Sequence, residues 1–220
     1  AMLRLKMYRG NTGWYRWTDH YRELLDILTQ RMEEEVQRMA VKPLAAAAFV
    51  LGRARRGSEE QYKAMFRRMQ QLLEEGAADA ADPPQEHLEQ FLHGLVMMGP
   101  ERKKDLDAGW LMEWLCAHLY TVLLSDFIRI NRHLVMLGCY DRQYLIEVVK
   151  FYCRPDVLAQ LKKSDIMDLT HTYNGSRIRE DDLPEGHELD NDNQPYHYSG
   201  KHFFWAMGRQ FQRLTAEAGA

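Results

Sequence analysis

Apolar residues recur three and four positions apart along most of the chain, and polar punctuation divides them into helices. Thr18 is placed to cap the first, whose stripe is Tyr21, Leu24, Leu25, Leu28, Met32, Val36 and Met39. Pro43 opens a second at its first turn. Its body, Leu44 to Leu51, is small and apolar, which permits close helix packing, and Gly52 is expected to end it. Ser58 and Gln61 have the spacing of a capping box. Tyr62, Met65, Phe66, Met69, Leu72 and Leu73 follow, up to a stop at Gly76. After a loop ending in Pro83-Pro84, residues Leu88, Phe91, Leu92, Leu95 and Val96 predict another short helix, ended by Gly99-Pro100.

The most apolar stretch runs from Asp107 to Gly138. Between Trp110 and Leu124 the clearly polar side chains are Glu113, His118 and Thr121, apart from the Tyr120 hydroxyl. Ser125-Asp126 offers an N-cap in mid-run, so two helices are predicted there, the second ending at Gly138. His118, close to Trp114 along the helix, reads as a core histidine. Asp141 caps the next helix and Pro155 breaks it. Ser164-Asp165 caps a short helix ended by Asn174-Gly175. Residues 176–200 are acidic, through Glu180, Asp181, Asp182, Glu185, Glu188, Asp190 and Asp192, and show no periodicity. Ser199-Gly200 introduces a C-terminal helix carrying Phe203, Phe204, Trp205, Met207, Phe211 and Leu214.

Four short helices therefore start at Pro43, Pro84, Ser125 and Ser164, about 40 residues apart, and each ends at a glycine. Ser125-Asp126-Phe127-Ile128-Arg129-Ile130 aligns with Ser164-Asp165-Ile166-Met167-Asp168-Leu169, and Leu134 with Tyr173. A helix–turn–helix unit of this size cannot bury its apolar face alone, whereas stacked units can. The predicted fold is all-α: helical-hairpin repeats forming a short solenoid over residues 18–175. A basic aromatic arm (1–17) precedes it, and an irregular acidic segment (176–200) and a capping helix (201–220) follow.

The segments Leu44 to Gly52, Leu88 to Gly99, Phe127 to Gly138 and Ile166 to Gly175 resemble the degenerate helical repeats of organellar RNA-associated proteins. These are the FAST-kinase-like and RAP-domain proteins and the octotricopeptide and heptatricopeptide repeats. The tail from residue 176 does not match a RAP domain. The resemblance implies RNA metabolism in mitochondria or plastids, or a structural place in an organellar ribosome.

Charge refines this picture. A formal net charge of -3 argues against a general nucleic-acid coater. Cations nevertheless concentrate in the links that follow the short helices: Arg53, Arg55 and Arg56, then Arg102, Lys103 and Lys104, then Arg142, then Arg177 and Arg179. In a solenoid such links share one edge, which makes these nine residues a candidate phosphate track. Links are also charged because they are wet, and cations suit helix C-termini without any ligand. Trp14, Tyr15, Trp17, Tyr196 and Tyr198 are candidate partner contacts. The acid-free start, with Arg4, Lys6, Arg9 and Arg16, reads as a basic arm in preference to the remains of a targeting region. Cys116, Cys139 and Cys153 fit no disulfide framework and suggest a reducing compartment, which the resemblance would make mitochondrial.

Catalytic and metal motifs are weak. Glu86, Glu89 and His93 lack the Glu-x-x-His spacing of a di-iron bundle. No cysteine pair has zinc spacing. Asp190 and Asp192 lack the glycine and closing glutamate of a calcium loop. No cofactor, metal site or membrane span is expected. The expected function is a non-catalytic scaffold within a mitochondrial ribonucleoprotein such as a ribosome. The alternatives are a protein-binding subunit of a non-RNA complex, such as a respiratory assembly, and a helical metal-dependent enzyme.

Overall fold

The computed structural model describes residues 19–75, 84–98, 106–176, 181, 185–190 and 193–218. The expected signals at Thr18, Gly76 and Gly99-Pro100 lie outside these. The chain is mostly helical, with one two-stranded sheet. It divides into two compact units at Leu106/Asp107, where the most apolar stretch of the sequence begins. No helix among the described residues is long and apolar enough to cross a membrane.

The first unit contains α1 (Asp19–Glu35), a 3-10 turn (Val36–Arg38), α2 (Val41–Ala54), α3 (Glu59–Glu74) and α4 (Pro84–Met97). The capping box predicted from sequence is formed. The Gln61 N–H donates to Ser58 Oγ at 3.2 Å and the Ser58 N–H to Gln61 Oε1 at 2.8 Å. Gln61 also reaches out of its helix, donating from Nε2 to the Thr29 carbonyl at 2.8 Å and so tying α1 to α3. Leu25, Met32, Val36, Met65 and Met69 are buried.

Helix α2 corrects the sequence reading at both ends. It starts at Val41, two residues before Pro43, and continues past Gly52 to Ala54. Gly52 is therefore a contact residue and not a stop. A Cβ built on it would lie 2.0 Å from the Gly94 carbonyl oxygen, and one built on Gly94 would lie 2.4 Å from the Ala48 carbonyl carbon. Helices α2 and α4 thus touch backbone to backbone, as the alanine-rich run of α2 allows. Ala45, Ala47, Ala48, Leu88, Leu92 and Leu95 are fully buried.

The second unit contains α5 (Gly109–Ala117), α6 (Leu124–Leu137), α7 (Arg142–Cys153), α8 (Pro155–Gln160), α9 (Lys163–Gly175), β1 (Gly186–Leu189), β2 (Pro195–Tyr198) and α10 (Gly200–Glu217). The central apolar stretch is two helices, as expected, but the first stops at Ala117. His118 terminates it: its Nδ1–H bonds the Trp114 carbonyl at 2.7 Å, and its ring stacks on the Trp114 indole with centres 4.1 Å apart. Both side chains are half-buried, so His118 caps a helix end and does not sit in the core.

Helix α6 begins at Leu124, with Leu123 as N-cap and Asp126 in the first turn. Ser125 is therefore inside the helix, where Asp126 still suits the positive end of the helix dipole. Helix α9 likewise starts at Lys163, and the Asp165 carboxylate accepts the Lys162 N–H at 2.9 Å. Asp141, Ser199 and Gly138 act as predicted. The first two accept the N–H groups of Tyr144 and His202, and Gly138 closes α6 at a φ of 73°.

The segment 176–200 is not wholly irregular. Strands β1 and β2 form an antiparallel hairpin with Gly186 opposite Tyr198 and Leu189 opposite Pro195. Its loop is built on Asp190. The Asp190 N–H donates to the Gln194 carbonyl at 2.9 Å, and Asp190 Oδ1 accepts the Gln194 N–H at 2.8 Å. Asn193 takes a left-handed φ of 58°. The hairpin is anchored to α7 through Lys150, which pairs with Glu188 at 3.1 Å. Buried Gln210 donates to the Leu161 carbonyl at 3.3 Å and docks α10 on the α8–α9 link.

Candidate nucleic-acid interface

Of the nine candidate phosphate contacts, Arg53, Arg55, Arg56 and Arg142 fall in the described residues, and all four are exposed. Arg102, Lys103, Lys104, Arg177 and Arg179 lie outside them, as do Trp14, Tyr15 and Trp17.

The link after α2 is a defined turn. Arg55 caps the helix in left-handed backbone with a φ of 52°, a conformation that glycine ordinarily supplies. Its N–H donates to the Gly52 carbonyl, and the next N–H, of Arg56, donates to the Leu51 carbonyl, each at 3.0 Å. Tyr62 holds the far side, donating its hydroxyl to the Arg56 carbonyl at 2.7 Å. Gly57 follows with a φ of +92°, and a Cβ there would press on the Tyr62 ring at 3.1 Å. The backbone is fixed, and three guanidinium groups project from it. Arg53 lies over the Phe49 ring, 5.7 Å from its centre, and Arg56 is 3.5 Å from the Asp26 carboxylate. Both contacts are solvated and weak, so the Arg53 and Arg56 charges stay open to a phosphate.

In the second unit Arg142 opens α7, one residue after the Asp141 cap. Arg132 on α6 is ion-paired with Asp168 on α9. Val135, Met136, His171 and Thr172 line the shallow cleft beside that pair.

The candidate partner tyrosines are set into the hairpin. Tyr196 is buried, and its hydroxyl donates to Glu188 at 3.1 Å. Burial first, and then the Glu188 charge, push its proton affinity up. Tyr198 is half-buried with the Lys150 ammonium 5.2 Å from its ring centre. Tyr196 thus bonds across the hairpin, and Tyr198 meets α7 through Lys150.

Two buried polar centres went unnoticed in the sequence. Asn131 accepts the Tyr144 hydroxyl and donates to the Phe127 carbonyl at 2.8 Å and to the Tyr152 hydroxyl at 3.4 Å. Burial raises the proton affinity of both phenols and keeps them neutral, Tyr144 as a donor to Asn131 and Tyr152 as an acceptor from it. Arg154, only 3% exposed, forms a two-pronged pair with Asp156 at 3.1 and 2.9 Å and also bonds the Tyr120 hydroxyl. The guanidinium holds the Asp156 carboxyl below the ordinary aspartate range, against a smaller opposing effect of burial.

The thiols rest protonated where a shift is resolved. Burial pushes Cys153 up to about 12, and burial with the Glu147 and Asp141 charges raises Cys116. Neither is a thiolate nucleophile at neutral pH. His93 packs edge-on against Phe49, ring centres 5.4 Å apart. Comparisons with family models, with curated proteins and with solved structures find no match.

Proposed function

We propose that this chain is a non-catalytic helical-repeat scaffold and a structural subunit of an RNA-containing assembly, with a mitochondrial ribonucleoprotein as its setting. The observation that carries the RNA reading is the link after α2. Three exposed arginines project from a rigid turn there, and the central one occupies a backbone conformation that favours glycine. Strain of this kind clusters at functional positions. The left-handed backbone at Arg55 sets the direction in which the three side chains leave the turn.

The repeat reading is supported by helix lengths and partners. Helices α2, α4, α6 and α9 contain 14, 14, 14 and 13 residues and start at positions 41, 84, 124 and 163. Within the first unit α2 packs on α4, and within the second α6 packs on α9. Successive short helices are neighbours in each unit, as stacked hairpins require. The aligned pairs Phe127 and Ile166, Ile130 and Leu169, and Leu134 and Tyr173 are all buried, although Met167 is exposed where Ile128 is buried. Sedimentation of the native protein from cell lysate tests the assignment. The protein should travel in a large particle and shift to lighter fractions after ribonuclease treatment.

A second reading, a protein-binding subunit of a non-RNA complex, is favoured by exposed apolar side chains in the second unit. Tyr120, Leu123, Leu189 and Trp205 are between 59% and 67% exposed. A heavy particle that ribonuclease leaves unchanged selects this reading.

A further inference from the structure

Three histidines to which the helical pattern assigns no role come together in the second unit. His187 on β1 and His197 on β2 are partners in the hairpin register, with ring centres 4.9 Å apart. His202, in the first turn of α10, meets the His197 ring edge to face at 5.1 Å. The Glu185 carboxylate lies 3.0 Å from His197 Nε2. Glu185 and His187 are exposed, and His197 and His202 are half-buried, so an ion from solvent can reach the group.

We propose that this cluster binds one divalent late first-row metal ion, of which zinc is the best fit. His187, His197 and His202 would supply imidazole nitrogens and Glu185 a carboxylate oxygen. Imidazole and carboxylate are ordinary zinc ligands, and three histidines with one oxygen complete a tetrahedral set. Two imidazoles on one tetrahedral ion, with Zn–N distances of about 2.0–2.1 Å, place their ring centres roughly 5 Å apart. The His187–His197 and His197–His202 separations already have that value. No three ligand atoms of this set lie within 4.8 Å of one another, so the site closes by rotating side chains on a backbone that is already in place. That backbone is held by the hairpin register and by the Ser199 cap, which accepts the His202 N–H at 3.0 Å.

The ion would join three elements, β1, β2 and the start of α10. It would act as a structural staple for an acidic hairpin that has little apolar surface of its own. The site is independent of the RNA reading.

Calorimetric titration of the full chain, stripped with chelator, against zinc chloride tests the proposal. One ion should bind per chain. His187→Ala, His197→Ala and His202→Ala should each weaken binding at least tenfold, the range seen when metal-site groups are removed. His171→Ala, outside the cluster, should bind as wild type does. Zinc should raise the melting temperature of wild type and leave that of the triple variant His187→Asn, His197→Asn, His202→Asn unchanged. That triple variant keeps polar side chains at all three positions and guards against unfolding. Affinity should fall on acidification, because a protonated imidazole cannot bind metal. Absence of zinc binding by folded wild type at millimolar zinc, or unchanged binding by the folded triple variant, would overturn the proposal.

Discussion

Gly52 and Gly94 face each other where α2 and α4 come closest, and a Cβ on Gly52 would stand 2.0 Å from the Gly94 carbonyl oxygen. The obstacle is backbone, which cannot swing aside as a side chain can. Gly52→Ala should therefore destabilise the first unit by about 1–3 kcal/mol or more, despite alanine's better helix propensity. Denaturant unfolding measures this, and a neutral or stabilising result would mean that the helices are further apart than described.

Arg55 gives the opposite sign. Its left-handed φ of 52° is unfavourable for any residue with a Cβ. Arg55→Gly should stabilise the protein, by up to about 1 kcal/mol, with glycine's greater freedom in the unfolded chain offsetting part of the gain. The same change should weaken RNA binding. Thermal melts and binding assays on this one variant separate the backbone's preference from the side chain's role.

Arg154 and Asp156 supply a pH dependence. The carboxyl's affinity for protons is depressed in the folded state, so the unfolded chain takes up the proton more readily as pH falls. The pair's contribution is complete above the ordinary aspartate range, near pH 4, and is lost as pH drops below it through the folded value. Asp156→Ala leaves Arg154 buried without its main partner. Because Asp156 is about a third exposed, the expected loss is roughly 2–3 kcal/mol, below that of a fully buried pair. Unfolding at pH 7 and pH 3 should show a larger wild-type advantage at pH 7 than at pH 3.

What could be read from sequence was local. Ser58 with Gln61, Asp141, Gly138 and Ser199 are each decided within four residues by hydrogen bonds that short polar side chains or a left-handed glycine supply. Gly52 could not be read correctly, because its meaning depends on Gly94, 42 positions away. The early end of α5 was hidden because His118 looks like part of an apolar run until its ring is seen bonding the Trp114 carbonyl. The hairpin escaped because its strands are four residues long and carry histidine and glutamate where β-branched residues would announce a strand. The Asp-Asn-Asp-Asn run at 190–193 was the available signal of its turn. Among candidate site residues, the basic link after α2 was legible from composition alone. The strain at Arg55 was not, and neither was the meeting of His187, His197 and His202, which share no motif spacing.

The central claim is that the basic links contact RNA phosphates, and RNA binding measured across a series of salt concentrations tests it most directly. Wild-type affinity should fall with salt at a log–log slope of about -0.7 for each single-strand phosphate contact. Reversing Arg53, Arg55, Arg56, Arg102, Lys103 and Lys104 to glutamate should weaken binding and flatten that slope. A melt of the variant beside wild type separates lost binding from lost folding. Equal affinity and equal slope for the two proteins, or no RNA binding by wild type, would contradict the claim and leave the protein-binding scaffold as the account of this chain.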